Sequence, residues 1–361
     1  MSIKNLIVYI VLTLAVIFIS SCGEKFNLNN IDLNNDNSNI GGDTLYIQLN
    51  PPWEGFNQPQ DVYVGREPLI YVADTENNRI VMLNLAGQIL STRTVKRPVA
   101  ITQDYRLNLI VAAEFDTTVG GITQTFSAVY KYDLVAVDHQ MGSAPVTRLL
   151  PRAQDLNRPA LRYTGACVFA NNMFYVARKG PNNSSFIDPD NSILIFVPKS
   201  LFSNEEGDTL VGRVPNIDPL GQGPVSAYDI SSLTSFNNQT IDIIITLTGG
   251  TSFKGNWLNY LITPIDQRYV SNFTPNSVDL VIPNQFGRPE GSALDNSGNI
   301  FIADAEKDSI FKFNAFGDEL ESFGGSDVFS QPYGVSVFDE TVYVADTGNN
   351  RILRFKLSTD F

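Results

Sequence analysis

The sequence predicts an all-β fold, a β-propeller of six four-stranded antiparallel blades, and three observations support this prediction. Nearly the same ten residues occur at 71–80 (YVADTENNRI) and 343–352 (YVADTGNNRI), with a related segment at 301–310 (FIADAEKDSI). These segments lie in units of about 40 residues, the length of one propeller blade. The chain has 26 Gly and 19 Pro and lacks long Ala/Leu/Glu/Lys stretches, which favours strands and turns over helices.

The clearest unit occupies residues 289–325 and contains four short runs. These are GSALD, IFIADA, IFKFN and ELESF, and the turns NSGN and AFGD separate the first pair and the last pair. Each run is apolar or alternates apolar and polar residues, and Gly, Asn or Asp bounds it, as is typical of strands in a meander.

The last unit, 332–357, starts in the same way but stops one strand short. The first strand-like segment of the chain, DTLYIQLN at 43–50, has no unit of its own. We therefore expect residues 43–50 to supply the missing outer strand of the last blade. This pairing would close the ring and remove the exposed edges that an open stack would leave.

Four further units bring the total to six. Blade one runs from Pro59 to about Thr94, blade two begins at Pro98, and blade three contains GACVFA, MFYVAR, ILIFV and LVGRV. Blade four is the least regular, and its predicted strands are VSAYDI, IDIIITL, WLNYLI and VDLVI.

The recurring pattern, Pro-x-Gly followed by a strand, a turn and Tyr-Val-Ala-Asp-x-x-Asn-Asn-Arg-Ile, resembles the NHL repeat. The resemblance is close in blades one and six, good in five and weak in two to four, and it extends over 43–361. It implies a β-propeller, similar in architecture to the six-bladed gluconolactonase-like enzymes. It does not fix the function, because propellers host many activities.

The Asp and Arg residues that recur in the repeated segment have a structural interpretation. Asp74, Asp304 and Asp346 end a buried strand, and Arg79 and Arg351 follow five residues after their Asp, where the chain has turned back. We expect Asp–Arg contacts that tie the loop. A ligand-binding role for these pairs is the weaker alternative.

The N-terminus predicts export and a lipid anchor, with residues 1–21 as a signal peptide. Lys4 precedes an apolar run from Leu6 to Ile19, which is too short to span a bilayer comfortably. The run ends in Ile-Ser-Ser-Cys, which resembles the bacterial lipobox and implies lipidation of Cys22. An ordinary secretory signal and an uncleaved anchor remain alternatives. Gly23 follows the Cys, which is compatible with an outer-membrane location in the cell envelope.

Residues 22–42, rich in Asn and Asp, are predicted to form a flexible tether before the domain at 43–361. Cys167, the second of two cysteines, cannot form an intramolecular disulfide once Cys22 carries lipid, and we expect it to be buried.

Composition excludes several function classes. The formal net charge is −13 and no basic run is present, so nucleic acid is not an expected partner. His139 is the one histidine, and we expect it in a loop on the face opposite the long loops described below. A Ser-His-Asp triad and a His/Cys zinc site therefore have little support. Neither a phosphate-binding loop nor a dinucleotide fingerprint occurs.

Long connecting segments indicate which face of the propeller carries the binding site. In an up-and-down blade, the segment entering the innermost strand and the loop between the second and third strands lie on the same face, here called the entry face. The long segments on this face belong to blades two to four: 114–127, 151–164, 179–192, 215–224 and 248–256. Binding sites concentrate on such loops. Neutral loop drift is the alternative.

At the centre of the entry face, the residues that start each innermost strand should surround the mouth of the central channel. The predicted mouth residues are Gln60, Asp61, Val99, Thr164, Glu290 and Tyr333. We expect binding at this mouth and the adjacent loops, and deletion of 179–192 should abolish it with thermal unfolding nearly unchanged.

The favoured function is a lipid-anchored binding module for an envelope protein, a peptide or a glycan. The NHL resemblance implies protein–protein contacts. The alternative is a calcium-dependent hydrolase or lactonase with its site in the channel, where Glu290 and Asp61 are weak metal candidates. The segment DPDNS at 188–192 begins like a calcium loop but lacks the later Gly and acidic ligand. No catalytic residue is assigned and no cofactor is expected, with calcium the one candidate.

Overall fold

A computed structural model describes residues 45–236 and 240–359. They belong to one compact unit, Leu45–Phe361. The predicted signal peptide, Cys22 and the tether lie outside the described residues. Within the described ranges, no helix has the length and hydrophobicity of a membrane span.

The described residues form six four-stranded antiparallel sheets, which confirms the predicted propeller. The first strand of the chain is β1, Tyr46–Gln48. Blade one consists of β2 Pro59–Val64, β3 Ile70–Asp74, β4 Arg79–Leu83 and β5 Ile89–Thr94. Blade two consists of β6 Lys96–Gln103, β7 Leu109–Val119, β8 Ile122–Tyr132 and β9 Val146–Leu150. Blade three consists of β10 Arg162–Val168, β11 Phe174–Lys179, β12 Ser192–Pro198 and β13 Asp208–Arg213.

The remaining blades follow the same order from the innermost strand outward. Blade four consists of β14 Ile230–Ser235, β15 Ile243–Leu247, β16 Gly255–Ile262 and β17 Gln267–Ser271. Blade five consists of β18 Pro289–Leu294, β19 Ile300–Asp304, β20 Ser309–Phe313 and β21 Glu319–Gly324. Blade six consists of β22 Pro332–Phe338, β23 Thr341–Asp346 and β24 Arg351–Leu357.

The ring closes as the sequence predicts. Strand β1 pairs with β24, with Tyr46 opposite Leu357 and Gln48 opposite Phe355, so it is the outer strand of blade six. The Tyr46 ring stacks on Phe323 of blade five at a centroid distance of 4.4 Å. The first strand of the chain therefore joins its last blade and also packs against the blade before it.

The hydrophobic core consists of six clusters, each shared by two neighbouring blades. Strands β3, β15 and β19 are buried along their whole length, which explains the apolar runs in the repeated phrase. Blade six packs on blade one through such a cluster, in which Tyr343 and Ile352 meet Val62 and Val72. Burial is thus continuous around the ring.

The Asp–Arg pairs are structural, as expected. Arg79 Nε donates to buried Asp74 at 2.6 Å, and Arg351 Nε donates to buried Asp346 at 2.7 Å. In blade five, Ser309 stands where these blades have Arg, and Asp304 instead accepts backbone N–H groups of the preceding loop. In blades one, five and six, the Asp therefore closes the loop at the end of the second strand.

The predicted strands of blade four were wrong at both ends. The innermost strand is β14 rather than 225–230, and the outer strand is β17 rather than 278–282. Strand β14, ISSLTS, is rich in Ser and Thr because it lines the channel, so an apolar pattern does not reveal it. The apolar segment near 280 forms a 3₁₀ turn that buries Leu280 and Val281 between blades four and five.

The segment 114–127 is a hairpin rather than a loop. Strands β7 and β8 are 11 residues each and pair as far as Val119 and Ile122, beyond the ladder of the other blades. Phe115 and Phe126 face each other at a centroid distance of 6.1 Å, and the Arg148 guanidinium lies 4.2 Å from the Phe115 ring. Blade two thus carries a rigid projection on the entry face.

Candidate functional site

A β-bulge in each innermost strand shapes the entry-face end of the channel. Between the first and second strands of the blades, the register shifts at the place where the innermost strand begins. The residues inside these irregularities include Gln60, Thr164, Ser231, Glu290 and Tyr333, one from each of five blades, and Val99 of blade two. Bulges redirect side chains and are common beside functional sites.

These six residues line a single cavity of about 320 Å³ at the channel mouth. The structure therefore places Gln60, Val99, Thr164, Glu290 and Tyr333 together, as the repeat position predicted. The other residues of the lining come from blades two and three alone: Arg97, Ala113, Glu114, Ser127, Arg162, Tyr163 and Lys179. The cavity is thus eccentric and opens toward the side of the ring that bears the hairpin and the long loops of blade three.

Asp61 differs from the other predicted mouth residues, because it lies below the mouth in the channel, a second cavity of about 190 Å³. It occupies the position that Gly291 and Gly334 hold in the Pro-x-Gly units of blades five and six. A Cβ on Gly334 would lie 2.6 Å from the Asp61 Cα, so glycine is needed where blade six approaches blade one. Asp61 itself faces blade two and accepts the Ile101 N–H at 2.7 Å.

Burial raises the pKa of Asp61 to about 7, although hydrogen bonds from the backbone of Ile101 and Val62 oppose the shift. A folded-state pKa above the unfolded value means that folding favours the protonated form. The contribution of Asp61 to stability is therefore present at low pH and is lost as the pH rises through about 7.

We predict that Asp61→Asn changes the pH dependence of stability. Between pH 5 and 8, the wild type should lose roughly 2 kcal/mol of unfolding free energy relative to the variant, less than the full shift implies because the side chain is only partly enclosed. Urea unfolding of both proteins at several pH values measures this difference. Asp318→Asn, at an exposed carboxylate, is the matched control and should show no such trend. Parallel curves for the wild type and Asp61→Asn would contradict the prediction.

Glu290 is the acidic residue at the mouth. Its carboxylate lies 3.3 Å from Arg288 Nε, and Arg288 also lies over the Tyr333 ring at 5.5 Å. Burial raises the pKa of Glu290, whereas the charges of Lys179 and Arg288 lower it and Asp304 raises it further. The Glu290 carboxylate is thus surrounded by positive charge from blades three and five.

The donor set at the channel does not fit a calcium ion. Calcium takes six to eight oxygen ligands. Among residues 45–236 and 240–359, no three His, Cys, Asp or Glu side chains are grouped as metal ligands would be. Of the two candidates, Glu290 pairs with Arg288, and Asp61 is at a different depth and accepts backbone N–H groups. The lining of the mouth contains three cations beside its two acids, Glu114 and Glu290.

The DPDN segment is held by arginines. Arg178 is fully buried; it donates to the Asp188 carboxylate, to the Pro189 carbonyl at 2.6 Å and to the Asp190 carbonyl at 3.1 Å. Arg158, from the entry segment of blade three, pairs with the carboxylates of both Asp188 and Asp190. The resemblance of 188–192 to a calcium loop was therefore misleading, because these carboxylates join two loops through ion pairs.

The loop 179–192 also presents two apolar side chains to solvent. Phe186 is 95% exposed and Ile187 is 87% exposed, while the carbonyls of both accept hydrogen bonds from Arg213 at 2.6 and 2.9 Å. The backbone of the loop tip is thus fixed to the outer strand of blade three. This fixed apolar tip is available to a partner.

His139 lies on the opposite face, as expected. It follows a 3₁₀ turn in the connection between β8 and β9, and its Nδ1 is 3.4 Å from Glu67. The same Glu67 oxygen accepts hydrogen bonds from Tyr71 and Gln103 at 2.9 Å each.

Cys167 is buried in β10, and this burial raises its pKa.

Sequence reasoning missed Ser231, Arg97, Arg162 and Lys179. Ser231 was missed because the innermost strand of blade four was misplaced. Arg162 and Lys179 could have been found from the repeat, since they flank the innermost and second strands of blade three on the entry side. Their direct opposition depends on strand register, which the sequence alone does not provide.

The NHL repeat profile matches residues 56–82 and 329–355, which are the units of blades one and six. Two of the six units are therefore similar to the NHL repeat. The other four blades share their four-stranded architecture. No protein of curated function matches the sequence significantly.

Several solved structures share the fold at low sequence identity. A candidate gluconolactonase is 11% identical, with a TM-score of 0.52 over 84% of this chain and 90% of that chain. Regucalcin, a calcium-binding protein from Agrobacterium tumefaciens, is 10% identical, with a TM-score of 0.52 over 84% and 90%. A Bacteroides thetaiotaomicron protein of unknown function is 13% identical, with a TM-score of 0.52 over 84% and 70%. At these identities the similarity establishes the fold alone.

Proposed function

We propose that this protein is a lipid-anchored binding module of the bacterial cell envelope, which binds a protein, peptide or glycan ligand through its entry face over blades two to four. The observation that carries the proposal is the eccentric mouth cavity, whose lining outside the ring of six comes from blades two and three. The hairpin of blade two and the arginine-fixed loop of blade three stand on the same face and side.

Leu45, the first described residue, lies at the face opposite the mouth. Strand β24 runs from Arg351 at the entry face to Leu357 at the opposite face. Beside this end, the Ser358 N–H donates to the Leu45 carbonyl and the Leu45 N–H donates to the Ser358 hydroxyl oxygen. The chain that precedes Leu45 therefore joins the propeller at the face opposite the mouth.

A pull-down from solubilised membranes with the fragment 43–361 tests the proposal, because this fragment contains the compact unit and all six core clusters. The double substitution Phe186→Ser/Ile187→Ser should reduce partner recovery at least tenfold, since a few side chains buried at the centre of an interface carry most of its binding energy. Leu201→Ser/Phe202→Ser is the matched control, because these side chains are 59% and 73% exposed in the turn between β12 and β13 on the opposite face. Loss of recovery in the control alone would contradict the proposal.

Deletion of 179–192 is not a clean test, contrary to the expectation from sequence. The deletion would remove Asp188 and Asp190 and leave buried Arg178 without its partners, so stability would also fall. The paired serine substitutions avoid this effect, because the carbonyls that bind Arg213 stay in place.

Calcium-dependent hydrolysis is the second function that the sequence suggested. The arrangement of Glu290 and Asp61 described above does not support it. A calcium titration of the melting temperature separates the two functions, since a large rise with calcium but not with magnesium would favour the hydrolase.

A further inference from the structure

Two cations stand directly opposite each other on neighbouring strands at the mouth. Arg162 of β10 is the register partner of Lys179 of β11, and both line the mouth cavity. In an antiparallel pair, opposite side chains lie on the same face with Cβ atoms about 5 Å apart, and like charges there are destabilising. The pair is therefore unfavourable unless something neutralises it.

Among the described residues, no carboxylate is within ion-pair distance of either cation, although Glu290 is close enough for the Lys179 charge to lower its pKa. Arg162 Nη1 donates to the carbonyls of Pro159 and Leu161, both at 2.7 Å, and not to a carboxylate. In the described part of the chain, neither Arg162 nor Lys179 has a carboxylate oxygen within 4.0 Å. By contrast, Arg97 lies 3.6 Å from Glu114, and Arg288 lies 3.3 Å from Glu290.

The charge of the cavity contrasts with that of the whole protein. Its lining includes three cations, Arg97, Arg162 and Lys179, and two acids, Glu114 and Glu290, which leaves one positive charge in a chain of net charge −13. A surplus of one charge suits a single anionic group better than a polyanion, which the acidic surface would repel.

We propose that the mouth binds a ligand through a carboxylate group held between Arg162 and Lys179, an inference that rests on the proposed function. A guanidinium offers several N–H donors in a plane that matches a carboxylate, and Lys179 adds a mobile ammonium. Gln60, Ser127 and Tyr333 supply further polar groups in the same cavity. Its volume of about 320 Å³ suits a monosaccharide or a short chain end.

Calorimetric titration of the 43–361 fragment tests this proposal with two pairs of probes. D-glucuronate against D-glucose represents a glycan acid, and N-acetyl-dialanine against its amide represents the carboxyl end of a peptide. At least one acid should bind ten or more times as tightly as its neutral partner, and the pair that discriminates identifies the source of the carboxylate. If neither acid binds more tightly than its neutral partner, the proposal is wrong.

Substitutions of the two cations test whether the acid binds between Arg162 and Lys179. Arg162→Gln and Lys179→Met should each weaken binding of the acid at least tenfold and leave binding of the neutral partner unchanged. Arg268→Gln, at an exposed arginine of β17, is the matched control and should bind as the wild type does. The melting temperature of unliganded Lys179→Met should stay within about 2 °C of the wild type, because the substitution removes both repulsion from Arg162 and attraction to Glu290. A lower melting temperature with unchanged acid affinity would make Lys179 a structural residue.

The proposal can fail while the proposed function stands. In the membrane pull-down, Arg162→Gln and Lys179→Met could recover the partner normally while Phe186→Ser/Ile187→Ser does not. That result would reject carboxylate recognition and retain the entry face as the binding surface. Normal recovery in all three variants would reject both.

Discussion

A fragment that begins at Pro51 should be less stable than one that begins at Leu45 by roughly 3–5 kcal/mol, with a melting temperature lower by about 5–10 °C. Strand β1 contributes three ladder residues to β24, the stack of Tyr46 on Phe323 and a contact of the Lys312 ammonium with the Tyr46 ring at 5.1 Å. Without β1, the edge of β24 is exposed and should promote association between molecules.

Differential scanning calorimetry and size-exclusion chromatography of the two fragments measure these effects. Leu45→Ser in the longer fragment is the control, since this side chain is 60% exposed and should matter little. Equal melting temperatures and equal monodispersity of the two fragments would show that β1 does not hold the ring closed.

Arg178→Met should cost roughly 2–3 kcal/mol, less than the loss of one partner of a fully buried ion pair, because the Asp188 side chain is 40% exposed. Arg178 is fully buried, and the variant would leave Asp188 and the carbonyls of Pro189 and Asp190 without their donor. The loop 179–192 should then become susceptible to proteolysis, because Arg158 alone would hold its carboxylates.

The matched control is Lys199→Met, which breaks an exposed pair with Glu205 and should change stability by less than about 0.5 kcal/mol. Chemical denaturation gives the stability difference, and limited proteolysis with mapping of the cleavage sites reports on the loop. An Arg178→Met protein as stable as the control variant would mean that the loop holds its conformation without the arginine.

The closed ring could be predicted from the sequence because the last repeat unit lacks one strand. A last unit with one strand missing and a first strand without a unit have one economical solution, and β1 beside β24 is that solution. The mouth residues were predictable for a related reason. Each repeat places one residue at the start of its innermost strand, so Gln60, Glu290 and Tyr333 could be assigned by position.

The missed features depend on contacts between distant segments. Strand β14 escaped detection because its Ser and Thr side chains face a polar channel instead of an apolar neighbour. The burial of Arg178 could not be read from its position at the end of an apolar run, since it results from Asp188 folding back over the blade. The opposition of Arg162 and Lys179 requires the strand register.

Hydrogen exchange tests the central claim, binding through the entry face, most directly. Exchange would be compared between the purified 43–361 fragment and the full chain in native membranes, by mass spectrometry of peptides from both faces. The account predicts protection in 96–127 and 151–192, with unchanged exchange in the opposite-face turns 199–207 and 263–266. Protection confined to those opposite-face turns, or no protection at 96–127 and 151–192, would contradict it.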